Sequence, residues 1–289
     1  MILALLLAAT AASPDIPMLV STAWLAEHRN DPKLVILQIG DARSKPAYDQ
    51  GHIPGAQFMN PFRELAAPHV EGGLALELPP EAQLDSVLEA HGISNDSYVV
   101  LVHAGEYFSP TSRTFLTLEY AGLGGRISIL DGGLELWKTE GRPVSTDVPT
   151  PARSSFKLAL HPNVVVDANW VRDHLTDQKV RILDARDSTF YYGADAHQAR
   201  SGRIPGAASM PFGSVIAEGG KFKALSTLRS QFEAAGVKPS DTVVSYCHIG
   251  QQASLIWYTA RLLGYKAALY DGSFQDWSAR SDLPVVTGH

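Results

Sequence analysis

The chain carries one pattern twice, in the same order, so its fold must be one that can be built in duplicate. "VSTAWLAEH" (Val20 to His28) is matched by "VDANWVRDH" (Val166 to His174), and "GDARSKPAYDQGHIPGAQFMNPF" from Gly40 by "LDARDSTFYYGADAHQARSGRIPGAASMPF" from Leu183. "LEAHGISND" then answers to "FEAAGVKPSD", and "ILDGGLELW" (Ile129 to Trp137) to "LYDGSFQDW" (Leu269 to Trp277). Ordered matches across most of 289 residues mark a tandem duplication, and each copy is too long for a solenoid repeat. The Pro-bearing stretch 139–162, with Pro143, Pro149 and Pro151, reads as a linker between a first domain, 17–138, and a second, 163–289.

Within each copy the periodicities alternate between strand and helix. Ser21 and Asp167 are placed to cap helices that hold Trp24 and Trp170. "KLVILQI" and "KVRILDA" fit buried strands. "SYVVLVH" and "TVVSYC" are β-branched strands, each leading into a helical pattern that ends at a glycine. "RISILDGG" and "KAALYDGS" supply a further strand each. The alternation predicts an α/β, doubly wound parallel sheet, present twice.

In such sheets ligands bind at the carboxyl ends of the strands, and Cys247, the only cysteine in the chain, stands at such an end. In "CHIGQQAS", Gly250 permits a positive φ, Ala253 admits close backbone approach, and a helix begins near Ser254. A tight loop running into a helix aims main-chain N–H groups and the positive end of the helix dipole at one place, which favours a thiolate. A free cysteine is by type alone more often a buried filler, but a filler belongs within the strand or on the inner helix face.

Composition narrows the partners. Twenty-four basic against 30 acidic side chains give a net charge of -6, with no field to attract nucleic acid. One cysteine excludes an intramolecular disulfide. Residues 1–12 of "MILALLLAATAAS" read as a signal peptide ending at an Ala9-Thr10-Ala11 site, although no Lys or Arg precedes the apolar run. The expectation is a periplasmic or secreted protein, against the alternative of a cytoplasmic one, with no membrane association once the leader is removed.

These residues resemble the rhodanese sulfurtransferases, specifically the tandem-domain members. The resemblance rests on the paired "DAR", on "GHIPGA" and "GRIPGA", on "DGG" and "DGS" with a later Trp, and on a cysteine loop in the second copy alone. It implies two rhodanese-like domains, the first catalytically silent and packed against the second. It further implies a Cys247 persulfide that takes a sulfane sulfur from thiosulfate, or alternatively from 3-mercaptopyruvate, and passes it to cyanide or a thiol. The implied partners are a small anionic donor and a small nucleophilic acceptor, acting on a monomer with neither cofactor nor metal. His248, Ile249, Gly250, Gln251, Gln252 and Ala253 would bind the donor, with Arg200 and Arg203 close by in sequence.

The chain departs from the family pattern at two places. Its loop is neither the basic type nor the Cys-Gly-Ser-Gly type, and Phe190 stands near the expected place of the substrate-binding arginine. At the position of Cys247 the first copy offers His103 or Val102, depending on one gap. Asp184 and Arg186, paired with Asp41 and Arg43, read as structural. A phosphatase of related fold needs an arginine six residues after the cysteine, where this chain has Ala253. A non-catalytic sulfur carrier is the third reading.

Overall fold

The computed structural model describes residues 16–105, 108–194 and 197–288. The leader expected at 1–12 lies outside the described residues, and among those described no helix is long and apolar enough to cross a membrane. Two parallel sheets of five strands are present. The first comprises β1 (Leu19–Val20), β2 (Leu34–Ile39), β3 (Ala56–Met59), β4 (Tyr98–His103) and β5 (Ile127–Leu130), in the order β1-β5-β4-β2-β3. The second comprises β6 (Val165–Val166), β7 (Val180–Asp184), β8 (Ala208–Ser209), β9 (Thr242–Tyr246) and β10 (Lys266–Tyr270), in the order β6-β10-β9-β7-β8. Order and direction are the same in both, as duplication of an α/β unit requires.

The local signals act as their chemistry demands. Ser21 accepts from the Trp24 N–H at 3.1 Å, and Asp167 from that of Trp170 at 2.8 Å, so both first helices are capped at their predicted residues. Trp137 and Trp277 are fully buried, and their indole N–H groups donate to the carbonyls of Pro143 at 2.7 Å and Pro284 at 2.8 Å. The bond to Pro143 ties the first residues of the stretch read as linker to the last helix of the first domain. Ser145 bridges His52 as Val286 bridges Arg203, so the chain just after Trp137 completes the first domain as the C-terminal tail completes the second.

Strand register corrects one sequence match. Leu101 of β4 faces Ile129, and Ser245 of β9 faces Leu269, while β2 and β7 set Leu37 and Leu183 beside Leu101 and Ser245. Gln38 therefore occupies the position of Asp184, and Asp41 lies beyond the strand end. The two "DAR" triplets are alike in letters but not in place. Asp184 and Arg186 form a buried pair, with Arg186 Nε donating at 2.9 Å and Nη2 at 2.5 Å, and the Tyr246 hydroxyl also donates to Asp184 at 2.6 Å. Arg43 is 94% exposed at its side chain, and its bond to Asp41 lies on the surface.

The two domains share a core. Their facing sheet surfaces and the helices Ser109–Leu118 and Ala253–Leu262 form one hydrophobic cluster that includes Leu101, Phe115, Leu116, Val243 and Tyr258. The two helices approach through small residues, with Ser112 Oγ 2.8 Å from Ser254 Oγ. Each domain also extends a segment onto the other. Leu78 N–H donates to Asp271 at 3.1 Å, and Phe222 N–H donates to Asp131 at 3.0 Å, so the equivalent aspartates of the two copies receive equivalent bonds. Arg113 Nη1 crosses the interface to Asp271 Oδ1 at 2.5 Å, and its Nη2 donates to the Leu76 carbonyl at 2.8 Å.

Glu77 sits beside this crossing. Burial, reinforced by the negative charges of Asp271 and Asp276 and only partly opposed by Arg113, raises its carboxyl from the usual 4.5 to about 7. The neutral form is favoured in the folded state, so the folded protein is penalised as pH rises from about 4.5 to about 7, and the penalty is constant above that.

Two outcomes follow for urea unfolding. Asp184→Ala, which strands a buried guanidinium, is expected to cost about 3–5 kcal/mol, whereas Asp41→Ala stays within about 0.5 kcal/mol. Equal losses would contradict the register. Glu77→Gln is expected to gain stability relative to the parent as pH rises from about 4.5 to about 7, with a constant difference above that window. A difference that does not change across the window would remove the assigned cause.

Candidate active site

Cys247 directly follows β9, and the five residues after it form the turn into the helix Ala253–Leu262. The turn is held from one side by the start of the helix Ser273–Ala279. The Cys247 N–H donates to Ser273 Oγ at 3.2 Å, while the N–H groups of Phe274 and Gln275 donate to the carbonyls of Cys247 and His248, both at 3.0 Å. Ser273 adopts a left-handed φ of 51°, a costly conformation for a residue with a side chain. Its hydroxyl donates to the Tyr270 carbonyl at 2.8 Å, which leaves the oxygen available to Cys247 N–H.

Gly250 is required twice over. Its φ is +77°, and a Cβ there would stand 2.6 Å from the Asp271 carbonyl oxygen and 3.1 Å from Arg113 Nη1. On the far side Ser245 Oγ donates to the Ala253 carbonyl at 2.9 Å, and Ser254 Oγ donates to that of Gln251 at 2.6 Å. Both hydroxyls draw on carbonyls. The N–H groups of Ile249, Gly250, Gln252 and Ala253 have no acceptor among the described residues. A turn with fixed carbonyls and uncommitted N–H donors at a helix start is suited to an anion.

The sulfur is enclosed. Cys247 is 1% exposed and belongs to the core shared by the domains. Two rings pack on His248. Phe190 meets it edge to face at 4.6 Å between centroids, and His197 meets it at 4.9 Å and 70°. Phe190 and His197 are themselves 6.0 Å apart. The sequence had singled out Phe190 and His248, but nothing in its spacing pointed to His197.

Of the expected site residues, Cys247, His248, Ile249, Gly250, Gln251, Gln252 and Ala253 lie on this turn or at the helix start. Arg200 and Arg203 are placed differently. Arg200 donates to the carbonyls of Trp277 at 3.0 Å, Ser278 at 2.8 Å, Arg280 at 2.6 Å and Leu283 at 2.9 Å, so it fastens the C-terminal tail. Arg203 donates to the carbonyls of Tyr191 at 3.2 Å and Gly288 at 2.7 Å and stacks on the Tyr191 ring. Their proximity in sequence was the only ground for placing them at the loop. Conversely, Arg113, Asp271 and Ser273, none of them expected to bind donor, are what hold the loop.

The register settles the counterpart in the first domain. Two residues beyond Leu101 is His103, and two beyond Ser245 is Cys247, so His103 and not Val102 occupies the cysteine's place. His103 is 2% exposed and packed between Gly133 and Gly220, where a Cβ would come within 2.6 Å of Nε2 and 2.9 Å of Cε1 respectively. Burial pushes its imidazole down to about 4, so the ring is neutral at neutral pH. Gly220 comes from the second domain, so His103 lines the interdomain contact. No group of three His, Cys, Asp or Glu residues able to hold a metal occurs among the described residues.

Comparison with known proteins agrees with this architecture. The family model for the rhodanese-like domain matches residues 21–140 and 167–280. The sulfur carrier protein TtuD of Thermus thermophilus is 30% identical over 96% of this chain and 98% of its own length. The thiosulfate sulfurtransferase of Bos taurus is 31% identical over 91% of this chain and 92% of its own. Among solved structures, YnjE superposes with a TM-score of 0.84 at 24% identity, covering 94% of this chain and 68% of that one. Matched in both halves by one domain type and along nearly its whole length by such relatives, the chain belongs to the rhodanese-like domain family, with two domains in tandem.

Proposed function

We propose that the protein is a sulfurtransferase that carries a sulfane sulfur on Cys247, taking it from thiosulfate and giving it to cyanide or a small thiol. The reading is supported most by the Cys247 turn, whose main-chain N–H groups at Ile249, Gly250, Gln252 and Ala253 have no acceptor among the described residues and follow directly on a free thiol. The relatives' names point the same way.

The thiolate attacks the outer sulfur of thiosulfate. A Cys247 sulfur–sulfur bond forms, the donor's sulfur–sulfur bond breaks, and sulfite leaves with the electron pair. The acceptor then attacks the outer sulfur of the persulfide and Cys247 leaves as thiolate, so the two half-reactions alternate in ping-pong order. Thiolate and persulfide both carry negative charge toward the same N–H donors, which are fixed in advance by the bonds to Ser273, Phe274 and Gln275. Neither half-reaction needs a metal or an organic cofactor. The first domain takes no part in the chemistry, because its neutral, enclosed His103 cannot hold a sulfane sulfur. Its contribution is Arg113, which braces Asp271 against the turn.

A carrier role is the second reading, favoured by the name of the relative in Thermus thermophilus. Turnover distinguishes the two. Incubated with thiosulfate and excess cyanide, the protein is expected to release many equivalents of thiocyanate, and Cys247→Ser none while keeping its unfolding midpoint. Release that stops at one equivalent would establish a carrier. Undiminished thiocyanate from the serine variant would exclude Cys247 chemistry.

A further inference from the structure

Segment 73–78 of the first domain crosses onto the second and grips the residues that hold the Cys247 turn. The Ala75 N–H donates to Gln275 Oε1 at 2.9 Å, and the Leu78 N–H donates to Asp271 Oδ2 at 3.1 Å. The Leu74 side chain lies against Gly272, where a Cβ would stand 3.1 Å from its Cδ1. Gln275 is one of the two residues whose N–H groups donate to the carbonyls of the turn, with its neighbour Phe274 the other. Asp271 is the residue whose carbonyl is pressed against Gly250. Both anchors of the crossing segment are thus residues that shape the turn.

The segment's own backbone does not favour this conformation. Leu76 has a left-handed φ of 58°, costly for a residue with a side chain, and its carbonyl accepts from Arg113 Nη2 at 2.8 Å. A segment held in such a conformation by a few bonds to another domain is suited to open before the whole fold does. Glu77 lies within it, with Oε1 buried and without a hydrogen-bond partner among the described residues. Asp271, Asp276 and Tyr270 face Glu77 from the second domain, and Arg113 faces it from the first. Arg113 is already paired with Asp271, and Arg280 with Asp276, so an ionised Glu77 is a third carboxylate beside two paired ones. A groove of about 1220 Å³ runs alongside, lined in part by Leu74, Glu77, Asp276 and Arg280. It leaves room for the segment to move outward and hydrate the carboxylate.

We propose that segment 73–78 is a proton-operated clasp: with Glu77 protonated it closes on the second domain and holds the Cys247 turn, and with Glu77 ionised it releases Gln275 and Asp271 and loosens that turn. In the closed clasp burial, with Asp271 and Asp276, holds the Glu77 carboxyl at about 7, whereas a freed carboxyl titrates at the usual 4.5. The open form therefore gains as pH rises between those values and gains no further above them. Across the interval its population rises by up to about a hundredfold. The clasp belongs to the fold and does not depend on what Cys247 carries.

Residue-resolved amide exchange of the full chain, corrected for intrinsic rates, tests the clasp. From about pH 5 to about pH 8 the protection of Ala75 and Leu78 is expected to fall at least about tenfold, and that of Phe274 and Gln275 to fall with it. All four are expected to exchange faster than Val244, which is buried in β9 and reports opening of the whole fold. In Glu77→Gln the same four amides are expected to keep their protection within about threefold. Asp276→Asn, which removes one negative charge facing Glu77, is expected to shrink the fall and serves if the Glu77 variant does not fold. An equal fall in Glu77→Gln, or Ala75 and Leu78 exchanging no faster than Val244, would overturn the clasp. Unchanged protection of Phe274 and Gln275 while Ala75 and Leu78 open would overturn its hold on the turn. Exchange does not read sulfur transfer, so either result stands apart from the thiocyanate assay.

Discussion

The contact between the Asp271 carbonyl and Gly250 fixes the shape of the Cys247 turn. Asp271 sits on the connection after β10 and cannot shift freely, because its carboxylate is tied to Arg113 and to the Leu78 N–H, both from the other domain. Gly250 is pressed against its carbonyl so closely that a methyl group would not fit. The turn therefore takes its shape from both domains at once. An interdomain ion pair between two largely buried side chains contributes modest stability at best, since desolvation cancels much of the attraction. Its geometric consequence is larger, because it sets the backbone from which the uncommitted N–H groups project.

Duplication explains how the first domain comes to do this. Each copy offers an aspartate after its last strand and receives a main-chain N–H from the other copy, at Asp131 from Phe222 and at Asp271 from Leu78. The exchange is nearly symmetric, but what it encloses is not. In the first domain it closes over a neutral imidazole, with Gly220 packed on the His103 ring, and in the second over a buried thiol followed by a turn with uncommitted N–H donors. One frame thus holds a buried imidazole at one end and a buried thiol at the other.

The features legible in the sequence were those whose cause is local. Capping by Ser21 and Asp167, the β-branched strands, the glycine at 250 and the cysteine at a strand end each follow from a few adjacent residues. The strands β3 and β8 were not recognised, because they are short and are defined by pairing with β2 and β7 more than by their own pattern. The two "DAR" triplets misled for a related reason: identical letters carry no register, and only the ladder shows that Gln38 stands where Asp184 does. Arg113 reaches Asp271 across 158 residues and Arg200 reaches the C-terminal tail across about 80, distances over which spacing conveys nothing about contact.

Enclosure of Cys247 limits what can reach it. Separating the domains would expose Phe115, Leu116, Phe222 and Tyr258 from the shared core, at about 1.5–3 kcal/mol for each apolar side chain returned to water. Phe190 and His197, which pack on the His248 ring, belong to the second domain alone and are not part of that shared core. The packing that fixes the turn from both domains thus also encloses the Cys247 side chain, so the shape of the turn and the burial of its thiol arise from one packed interface.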